Sequence, residues 1–349
     1  MIRELGGTGM SAPGVAAGRP AAATVALAAA AATAAAAGVF AAVVLGGGWR
    51  GGRKGATAGR GDAALNAGIA HFYDQSSGLW EKVWGEHMHH GHYGADGSVR
   101  KEHRQAQADM IEETLRWAGA PAAGDPGVRA VLDVGCGIGG SARSLLRRYP
   151  EATAEGVTLS PVQCARAAAL SAAQGLGSRA AFRVEDALNL PYPDDSFDLV
   201  WSMESGEHMP DKRRFVSELA RVCRPGGRII VVTWCHRDTP PDLRPAERRL
   251  LDAVCRCYYL PEWCSVSDYV SLLGEAGLGD VRSDDWTPAI RPFWRAVIAS
   301  ALTPAGFVGL LFSTGWATLR GAWAMVYMVR GYRMGVIRFG VLTATKASY

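Results

Sequence analysis

Two carboxyls and an imidazole fall within five residues at Glu204, Glu207 and His208. Side chains of these types, held together, can take a proton from a reacting hydroxyl and hand it on; otherwise they are structural groups of a helix or loop beneath a site. A second constellation lies upstream, where Gly135, Gly137 and Gly140 keep the spacing G-x-G-x-x-G. Glycines there let the backbone pass close to a ligand. The spacing alone equally fits a dinucleotide pyrophosphate, or plain packing of a helix on a strand. Asp133, two residues before the first glycine, tilts the choice: a carboxylate repels a pyrophosphate but suits a zwitterionic, sulfonium-bearing ligand, so S-adenosylmethionine is the expected cofactor. His87, His89, His90 and His92 invite a metal reading, yet no cysteine stands nearby at ligand spacing. No metal is expected. That segment, with Tyr73, Trp80 and Trp84, is read as an N-terminal cover over cofactor and substrate.

These groups need a scaffold, and the pattern around them is that of βαβ units. An apolar run over 130–134 leads into the glycine loop and then a helix-length stretch through Arg148. Further strands are expected at 154–158, 181–184, 197–202 and 228–233. A helix should start after Ser160, a good N-cap, with Pro161 at its first position and Gly175 at its end. Another should span 211–224, before the turn Pro225-Gly226-Gly227, and residues 279–286 and 335–345 read as two last strands. The expected architecture is α/β: an open, mostly parallel sheet. Ligands of such sheets sit beyond the carboxyl ends of the strands, which points Met203 to Met209 at the reacting group.

The chain has 349 residues, 48% apolar and 20% charged, which is globular composition and excludes disordered and collagen-like classes. Seven scattered cysteines, among them Cys255, Cys257 and Cys264, read as reduced, buried thiols rather than a disulfide framework or zinc ligands. A net charge of +4 gives little reason to expect nucleic acid.

Four blocks carry a family resemblance. They are Val131-Leu-Asp-Val-Gly-Cys-Gly-Ile-Gly-Gly140; the run from Pro191 to Met209, containing Trp201-Ser-Met-Glu-Ser-Gly-Glu-His-Met209; Val222-Cys-Arg-Pro-Gly-Gly-Arg-Ile-Ile-Val-Val-Thr-Trp234; and Tyr73 to Tyr93, with Trp84-Gly-Glu-His-Met-His-His-Gly91. The first says only methyltransferase, and the runs Pro191 to Met209 and Tyr73 to Tyr93 are the particular ones. Over about 69–346 the sequence resembles the plastid γ-tocopherol methyltransferase family. The resemblance implies a Rossmann-like class I methyltransferase fold with seven strands, helices on both faces and a helical substrate cap. It implies C-methylation of a chromanol ring, γ-tocopherol to α-tocopherol and δ to β, on a hydrophobic prenylated substrate at a plastid membrane. Plant enzymes of similar sequence methylate alkaloid nitrogens, the alternative reading.

In class I methyltransferases the second strand commonly ends in an acid for the ribose. Here Thr158-Leu159-Ser160 resembles a Thr-Leu-Ser-x-x-Gln variant in which Thr158 and Gln163 hydrogen-bond instead. Asp186 is the expected acceptor for the adenine amino group, with Ala187 behind the ring. Asp133, Gly135, Cys136, Gly137, Gly139, Leu159 and Ser202 complete the expected cofactor contacts. For ring methylation a phenol becomes far more nucleophilic once deprotonated; His208 is the first choice of base, then Glu204, with Glu207 beside them.

Both ends of the chain carry excess positive charge. Residues 1–60 hold a single acid, Glu4, and an Ala-rich run over 21–45, read as an organellar transit peptide rather than a membrane span, with a disordered Ala-rich tail as the alternative. Residues 61–128 are the expected cover, 129–288 the cofactor core, 289–333 a cap insertion and 335–346 the final strand. After Asp285 no acid remains, while Arg291, Arg295, Arg320, Arg330, Arg333, Arg338 and Lys346 are interleaved with Trp294, Phe307, Phe312, Trp316, Trp323 and Tyr327. Such a pattern suits peripheral contact with anionic lipid, or lid helices packed on the core.

Overall fold

Short β-branched runs bounded by glycine turns become the strands β1 (Ala130–Val134), β2 (Thr153–Thr158), β3 (Ala180–Val184), β4 (Phe197–Met203), β5 (Cys223–His236), β6 (Leu278–Asp285) and β7 (Ile337–Lys346). The computed structural model describes residues 62–296 and 316–348. One sheet orders these strands β3-β2-β1-β4-β5-β7-β6. Its first five are parallel, and β7 runs antiparallel to both β5 and β6. Because successive residues of a strand face opposite sides, Val131, Leu199, Trp201 and Ile230 enter the core on one face. Leu132, Val200, Ile229 and Val231 enter it on the other. A sheet buried on both faces explains why its strands read as near-continuous apolar runs.

The helices are α1 (Asp62–Trp84), α2 (His103–Trp117), α3 (Gly140–Arg148), α4 (Pro161–Ala173), α5 (Lys212–Val222), α6 (Pro245–Tyr258), α7 (Val266–Glu275), α8 (Thr287–Ile290) and α9 (Trp316–Arg333). Their starts are chemically marked. Ser160 accepts from the Gln163 amide with Pro161 next in line, and Asp211 accepts from the Arg214 amide, each satisfying a donor that the first helical turn leaves open.

Two expectations change. The helix expected to 224 stops at Val222, and β5 starts at Cys223, which pairs with Phe197 before a register shift; the Pro-Gly-Gly turn is thereby drawn into the strand's edge. In the region read as a membrane-facing cap, Phe293 and Trp294 are buried, packed edge-on against Trp84 at 5.4 and 5.8 Å. Trp294 is thus a core residue, and a lipid-facing role for it is excluded by its burial. In α9, Met328 is buried and Tyr327 half-buried, and Gly331 packs on Ile337 and on Leu250 of α6. Among the described residues no helix is long and apolar enough to cross a membrane. The readings made for residues 1–60, Phe307 and Phe312 lie outside the described residues.

Candidate active site

The carboxyl ends of β1, β2 and β4 open on a cavity lined by residues from the loops that follow them, the place where ligands of open α/β sheets bind. From β1 and its loop come Asp133, Gly135, Cys136 and Gly137. Thr158, Leu159 and Gln163 come from the β2 turn, Asp186 and Ala187 from beyond β3, and Glu204 and His208 from beyond β4. Helix α1 closes the far side with Asn66, Ile69, Ala70 and Tyr73, the spacing of one helical face.

Asp133 accepts a hydrogen bond from the Ala142 amide at 3.0 Å, tying the loop to the start of α3. Burial pushes its pKa up to about 7 against the opposing pull of that amide and Arg143. Gly137 adopts φ +52°, and a Cβ there would project into space bounded only by Met88 Sδ at 3.9 Å; its bare backbone leaves room for a ligand. Thr158 donates to Gln163 Oε1 at 2.8 Å. No Lys or Arg lines this cavity among the described residues, whereas Glu86, Asp133, Glu185, Asp186 and Glu204 do. Such a wall fits a cationic sulfonium and an ammonium, and it opposes a pyrophosphate.

Two residues expected at the cofactor are not among those that line the cavity. Gly139, between the lining residues Ile138 and Gly140, is in a left-handed conformation at the start of α3, where a Cβ would lie 2.8 Å from the Phe182 ring; packing requires glycine there. Ser202 is fully buried, its hydroxyl 2.6 Å from that of Ser205, which in turn donates to the Val134 carbonyl. It fastens β4 to β1.

The segment 85–93 runs along the cavity, where Glu86, His87, Met88 and His89 line it. Glu86 pairs with Arg143 at 2.8 Å, and Gln107 donates to the carbonyls of His87 and His89. Of its histidines, His87 and His89 line the cavity, and His90 packs among Trp234, Phe293 and Trp294. Burial lowers the pKa of His87 to about 3 and that of His89 below the ordinary value, and His89 Nδ1 lies 2.9 Å from the His90 carbonyl. Among the described residues no three His, Cys, Asp or Glu side chains gather as a metal-holding group.

A smaller chamber adjoins the cavity. Tyr73, Met88, Glu204 and His208 line both, and Trp84, Glu207, Trp234 and Tyr258 complete it. Here the three groups first singled out take different states. Glu204, at φ +51°, places its carboxylate against the His90 amide, His90 Nδ1 at 2.8 Å and Trp234 Nε1 at 2.9 Å. Burial alone would raise its pKa, but His90 and His89 outweigh that and hold it below the usual range. An ionised carboxylate with three partners is a poor base. Glu207 accepts from Thr233 at 2.9 Å, and burial together with Glu204 pushes its pKa up to about 8. For His208, burial and then Lys212 lower the pKa to about 3. The His208 imidazole is therefore neutral at physiological pH, with Nε2 3.0 Å from the Tyr73 hydroxyl.

Asn66, Met88 and the His90–Glu204 pair were not foreseen. Only Asn66 had a usable signal, since it stands seven residues before Tyr73 on the same helical face. His90 and Glu204 are 114 residues apart, beyond the reach of any local pattern.

A profile described as a methyltransferase domain matches residues 132–231. The chain is 54% identical over 286 residues to a probable tocopherol O-methyltransferase, chloroplastic, of Oryza sativa subsp. japonica, covering 81% of this chain and 78% of that protein. It is 52% identical to the tocopherol O-methyltransferase, chloroplastic, of Arabidopsis thaliana, covering 83% of this chain and 85% of that one. Among solved structures, the [4+2]-cyclase SpnF superposes with a TM-score of 0.65 at 26% identity, covering 81% of this chain and 97% of that one. With the acidic cofactor cavity, the class I strand order and these relatives in agreement, the chain belongs to the tocopherol methyltransferase family of S-adenosylmethionine-dependent enzymes.

Proposed function

We propose that the enzyme methylates the chromanol ring carbon of γ-tocopherol to give α-tocopherol, and of δ-tocopherol to give β-tocopherol, with His208 as general base. One observation carries this: a buried imidazole with Nε2 3.0 Å from the Tyr73 hydroxyl, both residues lining the cofactor cavity and the aromatic chamber beside it. When bound, S-adenosylmethionine supplies an electrophilic methyl group. The chain's own part is to hold the ring against it and to remove protons. The phenol proton passes toward His208, directly or across the Tyr73 hydroxyl. Transfer of the methyl to the ring carbon, with S-adenosylhomocysteine as the leaving group, would leave a hydrogen on that carbon; its loss as a proton to solvent would restore aromaticity, and the ring oxygen would take back the proton held at His208. Trp84, Trp234 and Tyr258 enclose the ring, and Glu204 holds the cover closed above it.

Asp133, Gly135, Cys136, Gly137, Thr158, Leu159, Gln163, Asp186 and Ala187 are the proposed cofactor contacts, and residues 61–128 the cover of the core. The chloroplastic names of the rice and Arabidopsis relatives support a plastid location, with residues 1–60 as transit peptide. The exposed Arg291, Arg295, Arg330 and Arg333 support peripheral contact with plastid membrane lipid, whereas Arg338 and Lys346 pair with Asp285 and Asp195.

The test offers labelled S-adenosylmethionine with γ-tocopherol, δ-tocopherol and a panel of amines, and identifies the products by mass and nuclear magnetic resonance. A new ring methyl in α- and β-tocopherol is expected. Because the relatives' names specify oxygen as the acceptor, a methyl ether would overturn the ring-carbon reading, and label only on amines would overturn the substrate.

A further inference from the structure

Asp186 lies beyond the end of β3 with its carboxylate on the cavity wall, and its two oxygens have different partners. Oδ1 accepts from the Leu188 amide at 2.9 Å, within its own turn. Oδ2 accepts from Asn66 Nδ2 at 2.8 Å, a residue 120 positions earlier and on α1. Two bonds from opposite sides fix the plane of the carboxylate. Each oxygen still has a second lone pair, so the group can accept one further donor from the cavity. Asn66 lines the same cavity, and with Nδ2 committed to Asp186 its own carbonyl oxygen remains an acceptor. The pair therefore presents acceptors to whatever ring sits there.

We propose that Asn66 is a specificity-determining residue for the cofactor's base: by fixing Asp186 from the cover helix, it makes this corner accept the amino group of adenine and reject a ring bearing a carbonyl at that position. The inference rests on Asp186 being the adenine contact. An amino group donates to the fixed oxygens. A ring carbonyl would face them lone pair to lone pair, leaving these acceptors without donors, which is how polar sites discriminate most strongly. Without Asn66 the carboxylate is free to turn away, and the discrimination should fall with it.

The experiment is calorimetric titration of the full chain with S-adenosylhomocysteine and with its deaminated analogue, S-inosylhomocysteine. The native protein should prefer the adenosyl compound by roughly 100-fold, the scale of one charge-assisted hydrogen bond gained and one repulsion avoided. Asn66→Ala, checked for an unchanged far-ultraviolet spectrum, should lose about 10-fold or more of that ratio, mostly through weaker adenosyl binding. Asn66→Asp sets a second carboxylate beside Asp186. Adenosyl affinity should fall at pH 8 and partly recover at pH 5.5, as the crowded pair takes up a proton. Equal losses for both compounds in Asn66→Ala would mean that Asn66 only seats α1, and would overturn the proposal. Asp186→Ala separates the two readings. If it leaves adenosyl binding intact, the assignment of Asp186 to adenine fails and the inference with it; if it weakens binding while Asn66→Ala keeps the native ratio, the inference alone fails.

Discussion

Burial, then Lys212, brings the pKa of His208 to about 3, so the imidazole is uncharged across the physiological range and is a weak proton acceptor; its proposed role rests on its position beside Tyr73 rather than on its basicity. Replacing His208 with Ala should lower kcat by about 10²- to 10⁴-fold, the usual contribution of a positioned base. Cofactor affinity, read by calorimetry, should change little. Tyr73→Phe keeps the ring and removes the hydroxyl; a kcat loss with KM little changed would mark a transition-state role, and native turnover would remove Tyr73 from the proton path. Glu204 behaves differently because its carboxylate already serves His90 and Trp234. Glu204→Gln should cost about 1–3 kcal/mol of stability, the penalty for disturbing a buried hydrogen-bonded group, seen as a lower Tm. Turnover of the folded fraction should suffer much less than in His208→Ala. The sequence placed Glu204, Glu207 and His208 together correctly and could not rank them, since burial and the partner 114 residues away decide which one is free to act.

At the level of elements, α1 carries two jobs on one face. Asn66 reaches Asp186 and Tyr73 reaches His208, two helical turns apart, so one rigid element touches the proposed base-binding corner and the proposed proton acceptor together. Seating of α1 should therefore respond to cofactor. Hydrogen exchange of amides in residues 62–84 should slow when S-adenosylhomocysteine binds, and exchange there that ignores the cofactor would detach α1 from the site. The sheet was more legible than the cover. Apolar runs and glycine turns announce strands locally, and Ser160 and Asp211 mark helix starts by their own chemistry. Whether Trp294 faces lipid or core depends on Trp84, more than two hundred residues away, and no count of aromatic residues contains that.

For the whole molecule, the site sets the response to pH. Asp133 and Glu207 have folded pKa values raised to about 7 and 8. Above the ordinary carboxylate range the unfolded chain ionises first, the folded chain holds more protons, and stability falls as pH rises toward those values. His87 and His208, lowered to about 3, act in the opposite direction: stability rises with pH from about 3 to the ordinary imidazole value and then levels. The two effects oppose each other in mild acid, and only the loss remains above pH 6.5. Tm should therefore decline between pH 6.5 and 8, and Glu207→Gln should flatten the decline. An unchanged slope in that variant would mean that Glu207 is already ionised.

The cavity and the chamber share Tyr73, Met88, Glu204 and His208 as lining residues and lie side by side. A single molecule carrying an adenosyl group at one end and a chromanol at the other, joined where sulfur would meet ring carbon, would occupy both spaces at once. Its second half would bind from a high effective concentration, so its affinity should exceed that of either half by about 10²- to 10⁴-fold. The shared lining thus makes the enzyme a target for tethered two-headed inhibitors, with the tether set by the gap that the methyl group crosses.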